Sequence, residues 1–191
     1  TVKTRKKRYG SDLGKKEWRV IKPLIPINQG PGRKMELSLR QVLNAIFYVV
    51  RTGCQWRELP GDFPPWSSVY YHYRKWSQNG TWRALNAALC QIERKKRGRK
   101  EQPTGAAIDS QSVKTTELAS ERGFDGHKRI KGHKRHIITD TVGNLLEVVV
   151  HTADIADCKG ARPLIDKIIE TFPSIEKIWA DGAYKGDLIE L

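Results

Sequence analysis

The stretch IEKIWADGAYKG, residues 175–186, carries an apolar run up to an aspartate, Asp181, with a glycine directly after it. Upstream, GAAIDSQSVKT, residues 105–115, repeats the arrangement: Asp109 follows Ala106, Ala107 and Ile108. Each reads as a short strand that delivers a carboxylate to its tip. If the two strands are neighbours, both carboxylates meet at one end of one sheet. Two carboxylates held close together repel unless a cation lies between them. Such a pair suits Mg²⁺ or Mn²⁺, hard ions that prefer oxygen ligands. Two such ions about 4 Å apart activate a water and stabilise a leaving alkoxide in phosphodiester chemistry. An aspartate at a strand end also serves as a turn cap, and spacing alone leaves both readings open.

Between the two stretches, KRHIITDTVGNLLEVVVHTA, residues 134–153, holds two β-rich runs around a Gly-Asn turn and reads as a hairpin. DCKGARPLIDKIIETF, residues 157–172, reads as a helix with Leu164, Ile165, Ile168 and Ile169 on one side and Asp157 as a cap. The order is strand, strand, strand, helix, strand.

The first hundred residues have a different pattern. SLRQVLNAIFYVVRTG, residues 38–53, has helical period, with Ser38 to cap it and Gly53 to end it. EWRVIKPLIP, residues 17–26, reads as a short helix ended by its prolines, and NQGPGRK, 28–34, as a loop. A Trp- and Pro-rich connector precedes a helix capped by Ser67 or Ser68, with Tyr70, Tyr73 and Trp76 at helical spacing, and Thr81 caps another through Leu85, Leu89 and Ile92. Short helices joined by a tight turn resemble a helix-turn-helix arrangement. The aromatic stripe reads as core, since one face of such a helix must be buried. Tyr71, His72, Arg74 and Lys75 then face outward as candidates for touching DNA. ERKKRGRKEQPTG, residues 93–105, reads as a linker, which gives an expected division into residues 1–100 and 101–191.

Charge separates the same two parts. Residues 1–100 hold 23 Lys/Arg against 6 Asp/Glu, a net of +17, whereas residues 101–191 hold 12 against 15, a net of −3. That asymmetry points to a polyanion-binding half joined to a half that needs carboxylates. The basic segment KTRKKR, 3–8, reads as a solvated arm. The longest apolar stretch, AIFYVV at 45–50, is far too short to span a bilayer, and no apolar signal region follows the charged N-terminus. These features predict a soluble, cytoplasmic protein with no membrane partner. Cys54, Cys90 and Cys158 show no paired spacing and read as reduced, mostly buried thiols.

Together the strings IDSQSVKT, RGFDGHKRIKGHKRHIITDTVGN, HTADIADCKGA and WADGAYKG resemble the DDE transposases of bacterial insertion sequences, in the superfamily that includes insertion sequences four and five. GCQWRELP and PPWSSVYYHYRKW are similar to the helical domain that precedes catalysis in that group, so the resemblance covers nearly the whole chain. It implies an α+β protein, with a helical DNA-binding domain followed by a ribonuclease-H-like catalytic domain. Asp109 would be the first metal-binding aspartate and Asp181 the second, holding two Mg²⁺ or Mn²⁺ ions. The third acid of the family is a glutamate on a later helix. Asp187 and Glu190 lie too close to Asp181 to supply it, which leads to the expectation that the sequence is part of a longer enzyme, lacking the last strand and the Glu-bearing helix.

The implied substrate is double-stranded DNA, both the element's terminal inverted repeats and the target, acted on by at least a homodimer. In HKRIKGHKRH, 127–136, the residues Lys128, Arg129, Lys131, Lys134 and Arg135 are candidates for phosphate contact. His127, His133 and His136 would be part of a zinc site only if a fourth ligand joined them, and none has suitable spacing. No role for Tyr184 or Lys185 emerges from the sequence. The alternative function is a non-catalytic DNA-binding remnant or competitor of transposition. An unrelated metal-dependent nuclease would share the acidic pair but not the long strings.

Overall fold

The structure, a computed structural model, describes residues 9–26, 37–116 and 121–184. The expected basic arm at 3–8 and loop at 28–34 lie outside the described residues, as do Lys185, Asp187 and Glu190. The protein is α+β, with helices first and a mixed sheet after them. Two compact units, Thr1–Ala88 and Leu89–Leu191, divide within a helix.

The first unit is built on α1 (Lys15–Ile21), α2 (Leu39–Thr52), α3 (Trp66–Gln78) and the start of α4 (Thr81–Lys96). In α2 the apolar period buries Val42, Leu43, Ala45, Ile46 and Val49. It ends at Gly53, whose φ of 70° lies in the left-handed region open to glycine, and the Gly53 N–H donates to Val49 O at 2.8 Å. A buried Asn44 carboxamide accepts the Leu13 N–H at 2.9 Å, which fastens the chain before α1 to α2. α3 starts earlier than its serines predict, with Pro65 at the cap position. The α4 cap is not Thr81 itself: the Asn79 side chain accepts from the Thr81 N–H at 3.1 Å and from its hydroxyl at 2.7 Å.

In the second unit β1 (Gly105–Lys114), β2 (Gly123–Asp125), β3 (Ile130–Asp140), β4 (Leu145–Thr152) and β5 (Lys177–Trp179) form one sheet, and α5 (Asp157–Thr171) packs on one face. The path runs β2-β3-β1-β5, with β4 also paired to β3. β1, β2, β3 and β4 pair antiparallel, and β5 runs parallel to β1. β2 is an addition to the order read from the sequence. The stretch 127–136, expected as a loop, is a strand from Ile130 onward, and β1 continues five residues past Asp109, which is therefore in mid-strand rather than at its tip.

Alternation assigns the faces. Ala106, Ile108, Ile138 and the α5 residues Ala161, Leu164, Ile165 and Ile168 form the buried core. On the opposite face Val113, Val148, Val150 and Trp179 are substantially exposed. The charged run expected as a linker is folded: Glu93–Lys96 belong to α4, and the buried Arg94 guanidinium bonds Asp140 at 2.7 Å and the carbonyl of Lys100 at 2.8 Å. Asp140 in turn accepts the N–H groups of Val142 and Asn144, each at 2.9 Å, and so holds the β3–β4 turn.

α5 approaches the sheet at Gly160. A Cβ there would lie 2.1 Å from His151 Nε2 and 2.8 Å from His136 Nε2. Alanine normally favours a helix over glycine by up to about 1 kcal/mol, but overpacking a core costs about 1–3 kcal/mol. Gly160→Ala is expected to lower stability in a denaturant melt. A stability gain would show that the imidazoles give way.

Candidate active site

β5 pairs with β1 through Gly105–Lys177, Ala106–Ile178 and Ala107–Trp179. The pairing ends there; the same offset carried two residues further would bring Asp181 opposite Asp109. Asp109 is exposed and alternates with Ile108 and Ser110, so it stands on the face away from α5, with Ala107 and Gln111. Asp109 Oδ1 accepts the Ser110 N–H at 2.7 Å, and Asp181 Oδ1 accepts the Ala183 N–H at 2.9 Å. The second oxygen of each has no hydrogen-bond partner among the described residues. Two carboxylates with an oxygen apiece to spare match the way Mg²⁺ is commonly held, by one or two carboxylates plus phosphates and waters. No group of three or more His, Cys, Asp or Glu side chains among the described residues is arranged to hold a metal.

Alternation also sorts the expected cations. Lys131 and Arg135 lie on the Asp109 face, and the Arg135 guanidinium donates to Gln111 Oε1. Lys128 and Arg129 are in the turn before β3, where Lys128 Nζ reaches Ser110 O at 3.2 Å and Arg129 has a φ of 52°. Lys134 points the other way and is buried. Its Nζ lies 2.8 Å from Asp157 Oδ1 and 3.5 Å from Asp125 Oδ2, and it donates to Ile155 O at 2.9 Å. It is therefore withdrawn from the candidate phosphate contacts. Asp157 is the first residue of α5 rather than its cap, and its Oδ2 accepts from the Ser110 hydroxyl at 3.2 Å. Burial raises the Asp125 pKa, but the Ser112 hydroxyl, the Lys128 N–H, Lys134 and the His127 N–H more than offset it and hold the group at about 2.

The zinc reading fails on the same alternation. His136 is fully buried toward α5, and His133 is on the other face of β3. His136 Nδ1 lies 3.0 Å from the Tyr184 hydroxyl, and its ring is 5.0 Å from that of His151. Burial, with the His151 charge second, lowers the His136 pKa to about 4. Burial pushes the Tyr184 phenol well above its ordinary value, a hydrogen bond with the Ser110 side chain partly offsets this, and the charges of Asp157, Asp181 and Asp109 add to the rise. Sequence reasoning named His136 only as a zinc candidate and gave Tyr184 no role, and so missed their contact. The signal that finds His136 is its two-residue spacing from Ile138, once the segment is read as strand.

In the first unit, one side of α3 lines an open groove of about 670 Å³ with Ser67, Tyr70, Tyr71, Arg74, Lys75, Gln78 and Asn79. Tyr71 is 57% exposed, so an aromatic face is open to a ligand. The Arg74 and Lys75 cations sit 5.9 Å from the rings of Tyr70 and Tyr71 respectively. His72 departs from the expected outward set: it is half-buried 5.2 Å from the Trp76 ring, and burial followed by Lys75 lowers its pKa. Tyr70 and Tyr73 pack on Trp56 at 5.3 and 5.0 Å but are half-buried, so of the expected core stripe Trp76 alone is buried. The three cysteines are unpaired and partly exposed rather than buried. No helix among the described residues is long and apolar enough to cross a membrane.

The His136 pKa sets a direction for acid sensitivity. The unfolded imidazole takes up its proton near pH 6.5 and the folded one only near pH 4. The stabilisation is fully present above about pH 6.5 and is lost as pH falls toward 4. Melting curves across that window should show the loss, and His136→Asn should flatten it. An equal slope in the variant would assign the sensitivity to other groups.

Residues 13–86 match a family model described as a transposase of the IS4/5 family (DUF4096), and residues 100–190 match the Transposase DDE domain. Over 113 residues the chain is 29% identical to the "Insertion element IS402 uncharacterized 16.2 kDa protein" of Burkholderia cepacia, a match covering 56% of this chain and 75% of that protein. No solved structure matches the chain.

Proposed function

We propose that this chain, which belongs to the DDE transposases of the IS4/5 type, binds the ends of an insertion element through its basic helical part and carries, in its sheet unit, two of the acids for metal-dependent DNA cleavage and strand transfer. The observation that carries the catalytic half is the parallel β1–β5 pairing, which ends at Ala107–Trp179 and, continued at the same offset for two residues, would bring Asp181 opposite Asp109 on an open face. The order of strands, with an antiparallel β1–β3–β4 run and a parallel strand after the helix, supports a ribonuclease-H-like reading. Residues 1–100 are the proposed DNA-binding part and 101–191 the catalytic part, acting in the cytoplasm as a homodimer on DNA.

Divalent ions bound by Asp109 and Asp181 would supply charge neutralisation at the scissile phosphate and a water of lowered pKa. The chain's own residues do the rest. Gln111 and Arg135 lie beside Asp109 on the same face, where a guanidinium pairs well with a phosphate. Lys128, Arg129 and Lys131 extend the positive edge at the start of β3. In the helical unit Arg74 and Lys75 are the proposed phosphate contacts, and the exposed ring of Tyr71 a sugar or base contact. The glutamate that the family adds is assigned to no residue here.

Mn²⁺ titrated calorimetrically into the 191-residue chain should bind, and Asp109→Asn and Asp181→Asn should each weaken it by about tenfold or more, since each removes a charged ligand. Unchanged affinity in both variants overturns the metal reading. With DNA binding intact it would favour the second reading, a non-catalytic occupant of element ends, which the net charge of +17 in residues 1–100 already supports.

Duplex binding measured across salt should weaken linearly on logarithmic axes, with a slope of about −0.9 per phosphate neutralised. Replacing Arg74 and Lys75 together with alanine should reduce the slope by about two contacts. An unchanged slope would move the binding surface away from α3.

A further inference from the structure

The pairing of β5 with β1 stops at Trp179, two residues before Asp181. Nothing in the sheet ladder holds Asp181 at the register position opposite Asp109. After Asp181 the chain makes a single 3-10 turn, Gly182–Tyr184, closed by the Tyr184 N–H on Asp181 O at 3.2 Å and by the Ala183 N–H on Asp181 Oδ1. The turn ends in a side chain that goes the opposite way from Asp181. Tyr184 is 4% exposed, packs in the core with α5, and places its hydroxyl 3.0 Å from Nδ1 of the fully buried His136. The two rings meet edge to face at 5.8 Å.

We propose that Tyr184 is a positioning residue for the metal site: its hydroxyl, bonded to His136, anchors the turn that fixes the Asp181 carboxylate opposite Asp109. The inference rests on the reading of Asp109 and Asp181 as metal ligands and adds the device that holds one of them in place. The ring alone fills the core. The hydroxyl bond sets how deep and at what rotation the ring sits, and the turn between Asp181 and Tyr184 has too few bonds to absorb a shift. A displacement at the phenol is therefore passed to the carboxylate. His136 suits the task because β3 holds it from both sides, in register with Ser110 of β1 and Val149 of β4. Outer partners that orient a ligand commonly contribute 10- to 100-fold to metal affinity.

The test is Mn²⁺ binding by the full 191-residue chain, measured calorimetrically beside thermal melting, in five variants. Asp181→Asn reports the ligand itself. Tyr184→Phe keeps the ring and removes the hydroxyl, and is expected to weaken Mn²⁺ binding by about tenfold. His136→Leu should match it, while His136→Asn, whose amide reaches the position of Nδ1, should stay within about threefold of the wild type. Ile168→Val loosens the same core without touching the bond, and should lower the melting temperature with affinity unchanged. Wild-type affinity in Tyr184→Phe alongside a weakened Asp181→Asn overturns the positioning role and leaves the metal reading standing. Equal losses in Tyr184→Phe and Ile168→Val would reduce Tyr184 to a packing residue and also overturn it. Unchanged affinity in Asp181→Asn removes the metal reading, and this proposal with it.

Discussion

Lys134 enters the interior from the middle of β3 with its side chain 6% exposed, and its ammonium lies between Asp157 and Asp125. Burying one ion costs several kcal/mol, so such a group persists only where its partners are held in place. Here they are. Asp125 also takes the Ser112 hydroxyl at 2.5 Å and the N–H groups of His127 and Lys128, and Asp157 takes the Ser110 hydroxyl. One cation thus joins the turn after β2, the centre of β3, the loop before α5 and the α5 N-terminus to β1. Loss of one member of a buried ion group costs about 3–5 kcal/mol, a large part of the roughly 5–15 kcal/mol by which a domain is stable. Ser110, next to Asp109, is part of this connection, so the floor under the proposed site and the stability of the sheet unit have one origin.

The sequence shows most of the elements and less of their sides. Apolar period and caps are enough for α2, because a strong 3.6-residue repeat ending in a left-handed glycine has few other outcomes. The hairpin around Gly143 and Asn144 is legible for the same kind of local reason. The stretch HKRIKGHKRH is not: five cations and three histidines read as a loop because strands are expected to be apolar. It is a strand whose buried polar residues meet distant groups: Lys134 meets carboxylates 9 and 23 residues away and Nδ1 of His136 meets a phenol 48 residues away, while His136 Nε2 has no hydrogen-bond partner among the described residues. No local pattern contains those partners. Arg94 is a similar case, since a charged run looks solvated until Asp140, 46 residues later, is seen to receive it.

The acidic pair is legible in the sequence as residues and not as geometry. Strand-tip placement fits Asp181, which comes after β5, but Asp109 is in mid-strand with β1 running on to Lys114. A carboxylate in mid-strand on an open face has backbone on both sides to hold it, whereas one just past a three-residue strand has almost none. The two acids therefore depend on different supports, Asp109 on the ladder and Asp181 on the turn behind it. The resemblance names both acids alike and, although WADGAYKG includes Tyr184, gives that residue no role.

Strand alternation links these points through register. A slip of one residue between β3 and its neighbours would carry Arg135 and Ile137 to the buried face and expel Lys134 and His136. Arg135 would arrive where Asp157 and Asp125 are set for a shorter, differently directed cation, and the Tyr184 hydroxyl would face an isoleucine. Apolar patterning alone resists such a slip weakly here, because the open face itself carries Val113, Val148, Val150 and Trp179. Polar groups that must meet named partners are more selective than apolar ones that accept any neighbour of the right size. The buried network thus fixes which residues of β3 are left to face outward, and puts Lys131 and Arg135, rather than Lys134, on the face that carries Asp109.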